Sequence, residues 1–394
     1  MAQYDVVIAG GAMAGATLAL ALNHLSQGSL SIAVVEPYQV DHQAHPGFDS
    51  RSIALSYGTV QILDSLHLWQ SIAPVATPIK DIHVSDRGHA GMTDIYSEEL
   101  AVDALGYVVE LADVGRIYQQ KLESEAAITM LCPESVSKVE REDSLTTIEL
   151  TSGQTITTKL LVAADGAIST CCQQLNISLN EHDFEQVAVI ANIVASEPHQ
   201  GRAFERFTHH GPVALLPMSD NRLSLVWCLS PEQAQKVMTL NDNEFIEQLQ
   251  SDFGWRLGRL EKVGKRASYP LILRHRQQNI SHRFAIIGNA AQTLHPIAGQ
   301  GFNLGIRDVA SLAEELCTQL DDVGRYTGLV NFRKRREQDR DMTITLTSSL
   351  VHLFSNDFLT ARIGRNLGLA VIDNLPPLKG PLLRHTLGPS RKIR

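Results

Sequence analysis

Three glycines near the start of the chain have the spacing that binds the diphosphate of a dinucleotide. Gly10, Gly11 and Gly15 lie in the run GGAMAG, where Ala12 takes the middle position of a Gly-x-Gly-x-x-Gly fingerprint. Glycines let the chain turn tightly beside phosphates, and a helix that begins there offers unpaired N–H groups to negative charge. Glu36 lies where a carboxylate accepts hydrogen bonds from a ribose diol. The pattern favours dinucleotide binding over a glycine-rich turn that serves only packing.

Two later segments are rich in small residues that bring the backbone close to a flat ligand. Asp165-Gly166 follows the apolar run LLVAA and, by itself, is an ordinary turn. The segment 288–305 reads GNAAQTLHPIAGQGFNLG, and its second half predicts a helix N-terminus where anionic charge is stabilised. The candidate binding residues of this segment are Gly288, Asn289, Gly299, Gly301, Phe302 and Asn303.

The elements around these residues alternate between strand and helix, which is typical of an α/β fold built on a parallel sheet. The runs YDVVIA, SIAVVE, LLVAA and FAIIG have the apolar character of strands buried on both faces. The predicted strands are Tyr4–Ala9, Ser31–Glu36, Leu160–Ala164 and Phe284–Gly288, and the predicted helices are Ala16–Leu25, Asp113–Glu125 and about Phe302–Leu320.

A second lobe is predicted from the stretch 187–229, where short runs such as VAVIANIVA and RLSLVWCL alternate with turn signals. This pattern indicates antiparallel strands with one wet face. The dinucleotide domain is therefore expected to be discontinuous. We predict a dinucleotide-binding domain of residues 1–75, 100–180 and 275–330, a β-rich substrate domain of 76–99 and 181–274, and a basic helical segment of 331–394.

The composition of the chain excludes several classes of function. The 394 residues carry a net charge of −9, which argues against a nucleic-acid groove. The 5 cysteines show no C-x-x-C spacing, so neither a zinc site nor a disulfide framework is indicated. The pair His209-His210 is interpreted as a turn.

The first basic residue is Arg51, so a secretory signal is not expected. The apolar start of the chain divides into a strand, a turn and a helix and is not interpreted as a membrane span. A cytoplasmic location is predicted.

Taken in order, the three segments resemble the FAD contacts of flavin monooxygenases of the para-hydroxybenzoate hydroxylase class. The resemblance implies FAD as cofactor, held by a Rossmann-like domain of the glutathione-reductase type. Arg51, in the run RSIAL, matches that family's Arg-x-x-x-Leu element near the FAD phosphates. Arg116 is similar to a family arginine near the flavin, and a surface helix charge is an equal alternative. Asn289 stands where the class usually has an aspartate, and an amide still donates and accepts hydrogen bonds.

Within that class, the runs HPIAGQGFNLG, HVSDRGHAG and GRAFERFTHHGP resemble the aerobic ubiquinone-biosynthesis hydroxylases. The resemblance implies that the substrate is a polyprenyl phenol, hydroxylated with O2 and NAD(P)H through a flavin C4a-hydroperoxide, since no side chain activates oxygen. The helix start at 301–303 then stabilises charge near the flavin pyrimidine, and His295 and Pro296 border the oxygen site. His295 acts as a base for the phenol or only shapes its loop.

Two alternatives remain open. In the first, the substrate is a small soluble aromatic acid. In the second, the chain is a flavin-binding scaffold without turnover, which the departures at Ala12 and Asn289 support slightly. The segment 330–394 carries 12 Lys and Arg against 5 Asp and Glu. The run Arg333–Arg336 is interpreted as a solvated helix face, with contact to an anionic membrane surface or an accessory protein as the alternative. Apolar residues at 350–354 and 358–359 are candidates for lining an entry for a prenyl tail.

Overall fold

The computed structural model describes residues 2–38, 51–86, 92–295 and 300–354, the last five of them by backbone alone. The strands are β1 Ala2–Ala9, β2 Ile32–Val35, β3 Ser52–Ser56, β4 Thr77–Ile79, β5 Asp81–Asp86, β6 Met92–Tyr96, β7 Gly106–Glu110, β8 Ile128–Leu131, β9 Val136–Arg141, β10 Thr146–Leu150, β11 Thr155–Ala163, β12 Asn180–Ala195, β13 Arg202–Thr208, β14 Gly211–Pro217, β15 Arg222–Leu229, β16 Leu260–Val263, β17 Ala267–His275, β18 Ile280–Ser281, β19 Phe284–Ile286 and β20 Gln292–Thr293. The helices are α1 Met13–Leu25, α2 Tyr57–Ser65, α3 Trp69–Ile72, α4 Leu111–Ser124, α5 Thr170–Gln174, α6 Pro231–Thr239, α7 Asp242–Phe253, α8 Gln300–Cys317 and α9 Tyr326–Phe354.

The first sheet has the strand order β18-β19-β11-β1-β2-β8, with β10 and β9 continuing from β11. Its central strands β19, β11, β1, β2 and β8 run parallel, as the apolar sequence runs predict. Val6 and Ile8 of β1 point into one apolar cluster with α1 and α8, whereas Val7 and Ala9 point into a second cluster with α5. The sheet is therefore buried on both faces, which explains its near-continuous apolar sequences.

The second sheet has the order β20-β17-β12-β15-β14-β13-β5-β6, with β16 paired to β12. Most of its pairs are antiparallel, as predicted, but β13 and β5 run parallel. Helices α6 and α7 cover one face, where Trp227 and Phe245 pack edge to face with ring centroids 5.6 Å apart. Residues 81–96 and 180–275 supply all the described strands of this sheet except β20.

A small sheet of order β3-β7-β4 shares apolar clusters with both larger sheets. Ala54 of β3 and Val108 of β7 share an apolar cluster with Ala203 of β13. Arg222 of β15 donates to Glu110 of β7 over 2.6 Å. The face of the second sheet that α6 and α7 leave open is thus turned toward the dinucleotide lobe.

The prediction that Arg333–Arg336 form a solvated helix face is wrong for two of the four residues. Arg336 is 4% exposed and pairs with Asp308 of α8, and Arg335 forms ion pairs with Glu314 and Glu315 of the same helix. Lys334 is the one residue of the run that is exposed. The run anchors α9 on α8, because buried guanidinium groups require carboxylate partners.

Candidate functional site

The glycine fingerprint forms a tight turn between β1 and α1. Gly10 has φ +99°, and a Cβ on Gly15 would lie 1.9 Å from the Gly10 carbonyl oxygen. Ala12 is the N-cap of α1, and no side chain caps the first turn of that helix. The backbone N–H groups in the first turn of α1 are therefore available for an anion, as a diphosphate requires.

Glu36 lies directly after β2, close to the glycine turn. Its carboxylate accepts hydrogen bonds from the backbone N–H of Gly11 over 2.6 Å and of Tyr38 over 3.1 Å. A Cβ on Gly11 would lie 3.1 Å from Glu36 Cβ, so glycine permits this close approach. The structure brings together the carboxylate and the turn that the sequence spacing predicted.

Asp165 and Gly166 follow β11 at the carboxyl end of the same sheet. Asp165 Oδ2 accepts from the N–H of Cys171 over 3.1 Å, whereas Asp165 Oδ1 is buried without a hydrogen-bond partner in the described chain. Gly166 has φ +87°, and no atom lies within 4 Å of a Cβ built on it. A buried acceptor beside open space fits a ligand that donates a hydrogen bond.

The segment after β19 lies against both helices that bound the candidate cofactor site. A Cβ on Gly288, which has φ +59°, would lie 2.8 Å from the Ala14 side chain of α1, and a Cβ on Gly305 of α8 would lie 3.3 Å from Gly288 Cα. The neighbouring residue Asn289 is exposed. Small residues therefore hold α1, α8 and this segment together and leave the Asn289 side chain accessible.

Helix α8 begins at Gln300, two residues before the predicted start, so Gly301, Phe302 and Asn303 form its first turn. The side chain of Asn303 is 2% exposed and bonds to the β3 backbone, donating to the Ala54 carbonyl and accepting from the Ser56 N–H, both over 2.9 Å. Asn303 thus fixes the helix start against the small sheet. Pro296 and Gly299 lie outside the described residues.

The two predicted arginines have different surroundings. Arg51 precedes β3 and is partly exposed, and its carbonyl accepts from the Leu111 N–H over 2.9 Å. The Arg116 side chain is 50% exposed and pairs with Asp113 one helical turn earlier, at 2.8 Å. This environment favours the surface-charge alternative for Arg116.

His295 is a buried residue between the two lobes, 1% exposed. Its Nε2 lies 3.1 Å from Gln186 Oε1, and its ring meets Phe184 edge on at 5.3 Å. Burial lowers the pKa of His295 to about 4, so the imidazole is neutral near pH 7. Gln186 and Phe184 were not found from the sequence, because no spacing rule links residues more than a hundred positions apart.

A strip of partly exposed side chains crosses the open face of the second sheet. Glu205 of β13 is directly opposite Val84 and Ala214 on the neighbouring strands, Ala214 is opposite Val226, and Val226 is opposite Ile190. We call these five residues the interlobe floor. Four are apolar and one is a carboxylic acid. Sequence reasoning missed this row because its register across five strands is set by the tertiary fold.

Contacts to the dinucleotide lobe border the interlobe floor on two sides. On one side, Ala203 and Leu216 pack against the small sheet. On the other, Cys228 packs with Phe184, which in turn contacts His295. Because its side chains are partly exposed between these contacts, the floor lines a recess between the lobes, where ligands commonly bind.

The other sequence candidates do not belong to the interlobe floor. His209 and His210 form a turn with ring centroids 3.9 Å apart, as predicted. Cys171 and Cys172 are buried in α5, and burial raises the pKa of both thiols. Among the described residues, no three His, Cys, Asp or Glu side chains are grouped to bind a metal ion. No helix within 2–38, 51–86, 92–295 and 300–354 combines the length and apolar character needed to cross a bilayer.

The chain belongs to the FAD binding domain family, which it matches over residues 3–344. It is 33% identical over 387 residues to the ubiquinone hydroxylase UbiL of Rhodospirillum rubrum, covering 98% of this chain and 89% of that protein. It is 30% identical over 393 residues to the 3-demethoxyubiquinol 3-hydroxylase of Escherichia coli, covering 98% of both chains. The predicted resemblance to ubiquinone-biosynthesis flavin hydroxylases is confirmed.

Solved structures support the same architecture. The p-nitrophenol 4-monooxygenase PnpA of Pseudomonas putida superposes with a TM-score of 0.81 at 17% identity, covering 99% of this chain and all of that one. HpxO of Klebsiella pneumoniae, solved with FAD, gives a TM-score of 0.76 at 14% identity over 98% of this chain and 99% of its own. The predicted α/β fold is confirmed, and the protein is an FAD-dependent monooxygenase.

Proposed function

We propose that this enzyme hydroxylates the aromatic ring of a polyprenyl phenol of the 2-octaprenyl-6-methoxyphenol type in ubiquinone biosynthesis, with NAD(P)H as reductant. The observation that carries the proposal is the end-to-end similarity to two ubiquinone hydroxylases, each covering 98% of this chain. The largely apolar interlobe floor supports it, because an aromatic ring with a prenyl tail requires apolar surroundings.

We propose that the FAD diphosphate is held by the turn of Gly10, Gly11, Ala12 and Gly15 at the start of α1, and the adenosine ribose by Glu36. Asp165 with its unpartnered Oδ1, Gly166, Gly288 and the exposed Asn289 are the proposed contacts further along the cofactor. The contact between Arg51 and the FAD phosphates stays a prediction. Bound FAD supplies the hydride acceptance and oxygen activation that no side chain provides.

The protein's own residues exclude water and orient the ring. The first turn of α8 is the proposed source of positive potential for negative charge on the cofactor, since its N–H groups are the ones that a helix leaves unpaired. His295 is neutral at working pH and hydrogen-bonded to Gln186, so we assign it a role in shaping the recess. Pro296, beside it, keeps its predicted place at the oxygen site.

A gene deletion tests the proposal most simply. The strain lacking this chain should accumulate a polyprenyl phenol that is one hydroxyl group short of its normal successor, identified by mass spectrometry of lipid extracts. Complementation with the intact gene should remove that phenol. A deletion strain with an unchanged quinone profile contradicts the proposal. Rapid NAD(P)H oxidation by the purified enzyme with a small aromatic acid such as salicylate would support the soluble-substrate alternative instead.

We also propose that the C-terminal basic segment attaches the enzyme peripherally to an anionic membrane surface, where polyprenyl substrates reside. Arg335 and Arg336 do not serve this purpose, because they pair with carboxylates of α8. The test is flotation with liposomes containing anionic lipid, comparing the full chain with one that ends at residue 354, which keeps α9. Flotation should fall after the truncation. Equal flotation of both proteins contradicts membrane attachment through residues 355–394.

A further inference from the structure

Glu205 is the one ionisable residue of the interlobe floor. Its strand neighbours are Val84 on β5 and Ala214 on β14, both apolar. Phe204, the preceding residue, points to the opposite face and packs against Phe253 of α7, with ring centroids 5.6 Å apart. Alternation along β13 therefore directs Glu205 into the recess between the lobes.

The Glu205 carboxyl has no hydrogen-bond or ion-pair partner in the part of the chain that the structure describes. It is partly exposed, yet burial raises its pKa to about 7. The nearby Cys228 thiol has its pKa raised by burial and by the Glu205 charge. Asp86 of β5 is a second acidic group on this face, opposite Phe207. A carboxyl with this environment lacks a structural role, since structural carboxylates are paired.

His295 is the other candidate base at this recess, and it is a poor one. Its pKa of about 4 leaves an unprotonated imidazole with little affinity for a proton. Its Nε2 is also engaged with Gln186, whose own Nε2 donates to the His210 carbonyl over 3.0 Å. A carboxylate that titrates near neutral pH suits proton transfer from a phenol better.

We propose that Glu205 is the catalytic residue that accepts the hydroxyl proton of the phenol substrate. The phenol O–H bond breaks, the proton moves to a Glu205 carboxylate oxygen, and the electron pair stays on the phenolate oxygen and is delocalised into the ring. No atom is oxidised or reduced in this step. It raises the electron density of the ring carbon that is hydroxylated. The inference rests on the proposed function and names the residue that activates its substrate.

The test compares Glu205→Gln with Glu205→Asp and with the control Glu261→Gln, an exposed glutamate of the same sheet. All are assayed as FAD-loaded enzyme with a short-chain 2-prenyl-6-methoxyphenol. Glu205→Gln should lower the hydroxylation rate about 10² to 10⁴ fold. Its FAD content and its flavin reduction by NAD(P)H should match wild type, and most of the oxygen consumed should leave as hydrogen peroxide. Glu205→Asp should recover part of the rate, and Glu261→Gln should match wild type.

The pH profile separates a base from a merely structural residue. In wild type, kcat/KM for the phenol should rise with pH through an apparent pKa near 7, because only the ionised carboxylate accepts a proton. In Glu205→Gln, kcat/KM should no longer rise with pH in this range. Hydroxylation by Glu205→Gln at the wild-type rate, or with the wild-type profile, overturns the inference and leaves the proposed function intact. Wild-type enzyme that binds no phenol and forms no hydroxylated product overturns both.

Discussion

Arg336 donates from Nε to Asp308 Oδ1 over 2.7 Å, and this ion pair joins α9 to α8 in the interior of the protein. The second oxygen, Asp308 Oδ2, accepts from Gln292 Nε2 over 2.7 Å. Arg307 and Arg336 both also bond to Asp339. The network ties α9 to the chain on either side of residues 296–299, next to the candidate cofactor site.

Breaking this network should destabilise the protein strongly. Asp308→Ala leaves the buried Arg336 without its α8 partner, and removing one member of a buried pair costs about 3–5 kcal/mol in the free energy of unfolding. The matched control is Asp321→Ala, which breaks the exposed pair with Arg325 and should cost less than about 1 kcal/mol. Urea denaturation measures both. An equal loss of unfolding free energy in the two variants would show that the buried Asp308 pair contributes no more to stability than the exposed pair.

Gly15→Ala should weaken the binding of FAD. The added Cβ would lie 1.9 Å from the Gly10 carbonyl oxygen, so the glycine turn must open and the start of α1 must move away from the diphosphate. We expect affinity to fall at least about tenfold, equivalent to about 1.4 kcal/mol. FAD released on denaturation is measured by fluorescence. In the control Gly264→Ala, the new Cβ meets its nearest atom at 3.6 Å, and full FAD content is expected.

Asn289→Asp should strengthen FAD binding. Asn289 is exposed beside Gly288, and a carboxylate there is a stronger acceptor for a ribityl hydroxyl than an amide. A charge-assisted hydrogen bond exceeds a neutral one by roughly 1 kcal/mol, which corresponds to about a fivefold change in Kd. Isothermal titration of the apoprotein with FAD gives the result, with the exposed Asn243→Asp of α7 as control. Unchanged or weaker binding by Asn289→Asp contradicts a hydrogen bond between this side chain and a ribityl hydroxyl.

Acid should destabilise the fold through His295. Its pKa is about 4 in the folded protein against an ordinary 6.5, so the unfolded chain binds more protons between these values. Stability therefore falls as the pH is lowered from about 6.5 to 4, by about 3 kcal/mol from this group at most. His295→Gln should flatten the dependence of unfolding free energy on pH across this window, whereas substitution of the exposed His282 should not. An unchanged slope in His295→Gln contradicts the assignment.

Local features were predictable because they depend on neighbouring residues. The unit β1-α1-β2, the glycine turn and the position of Glu36 follow from apolar runs and spacing within about thirty residues. The predicted domain boundaries stay a prediction. What sequence reasoning could not supply depends on pairing between distant elements. Asp308 and Arg336 lie 28 positions apart on separate helices, so a basic run that is usually solvated turned out to be partly buried.

The position of Glu205 illustrates the same limit. Its run RAFERFT predicts a strand with alternating faces, but the identity of the buried face depends on α6 and α7, which follow later in the chain. The link between His295 and Gln186 was equally hidden, because it spans the two lobes.

The most direct test of the central claim is incorporation of labelled oxygen. FAD-loaded enzyme is incubated with NAD(P)H, a prenyl phenol and ¹⁸O2, and the mass of the product is measured by mass spectrometry. Monooxygenase chemistry predicts a hydroxylated ring that carries one ¹⁸O atom, formed only when FAD and reductant are both present. Oxidation of NAD(P)H that yields only hydrogen peroxide with every prenyl phenol tried, or a product hydroxyl group derived from water, would contradict it.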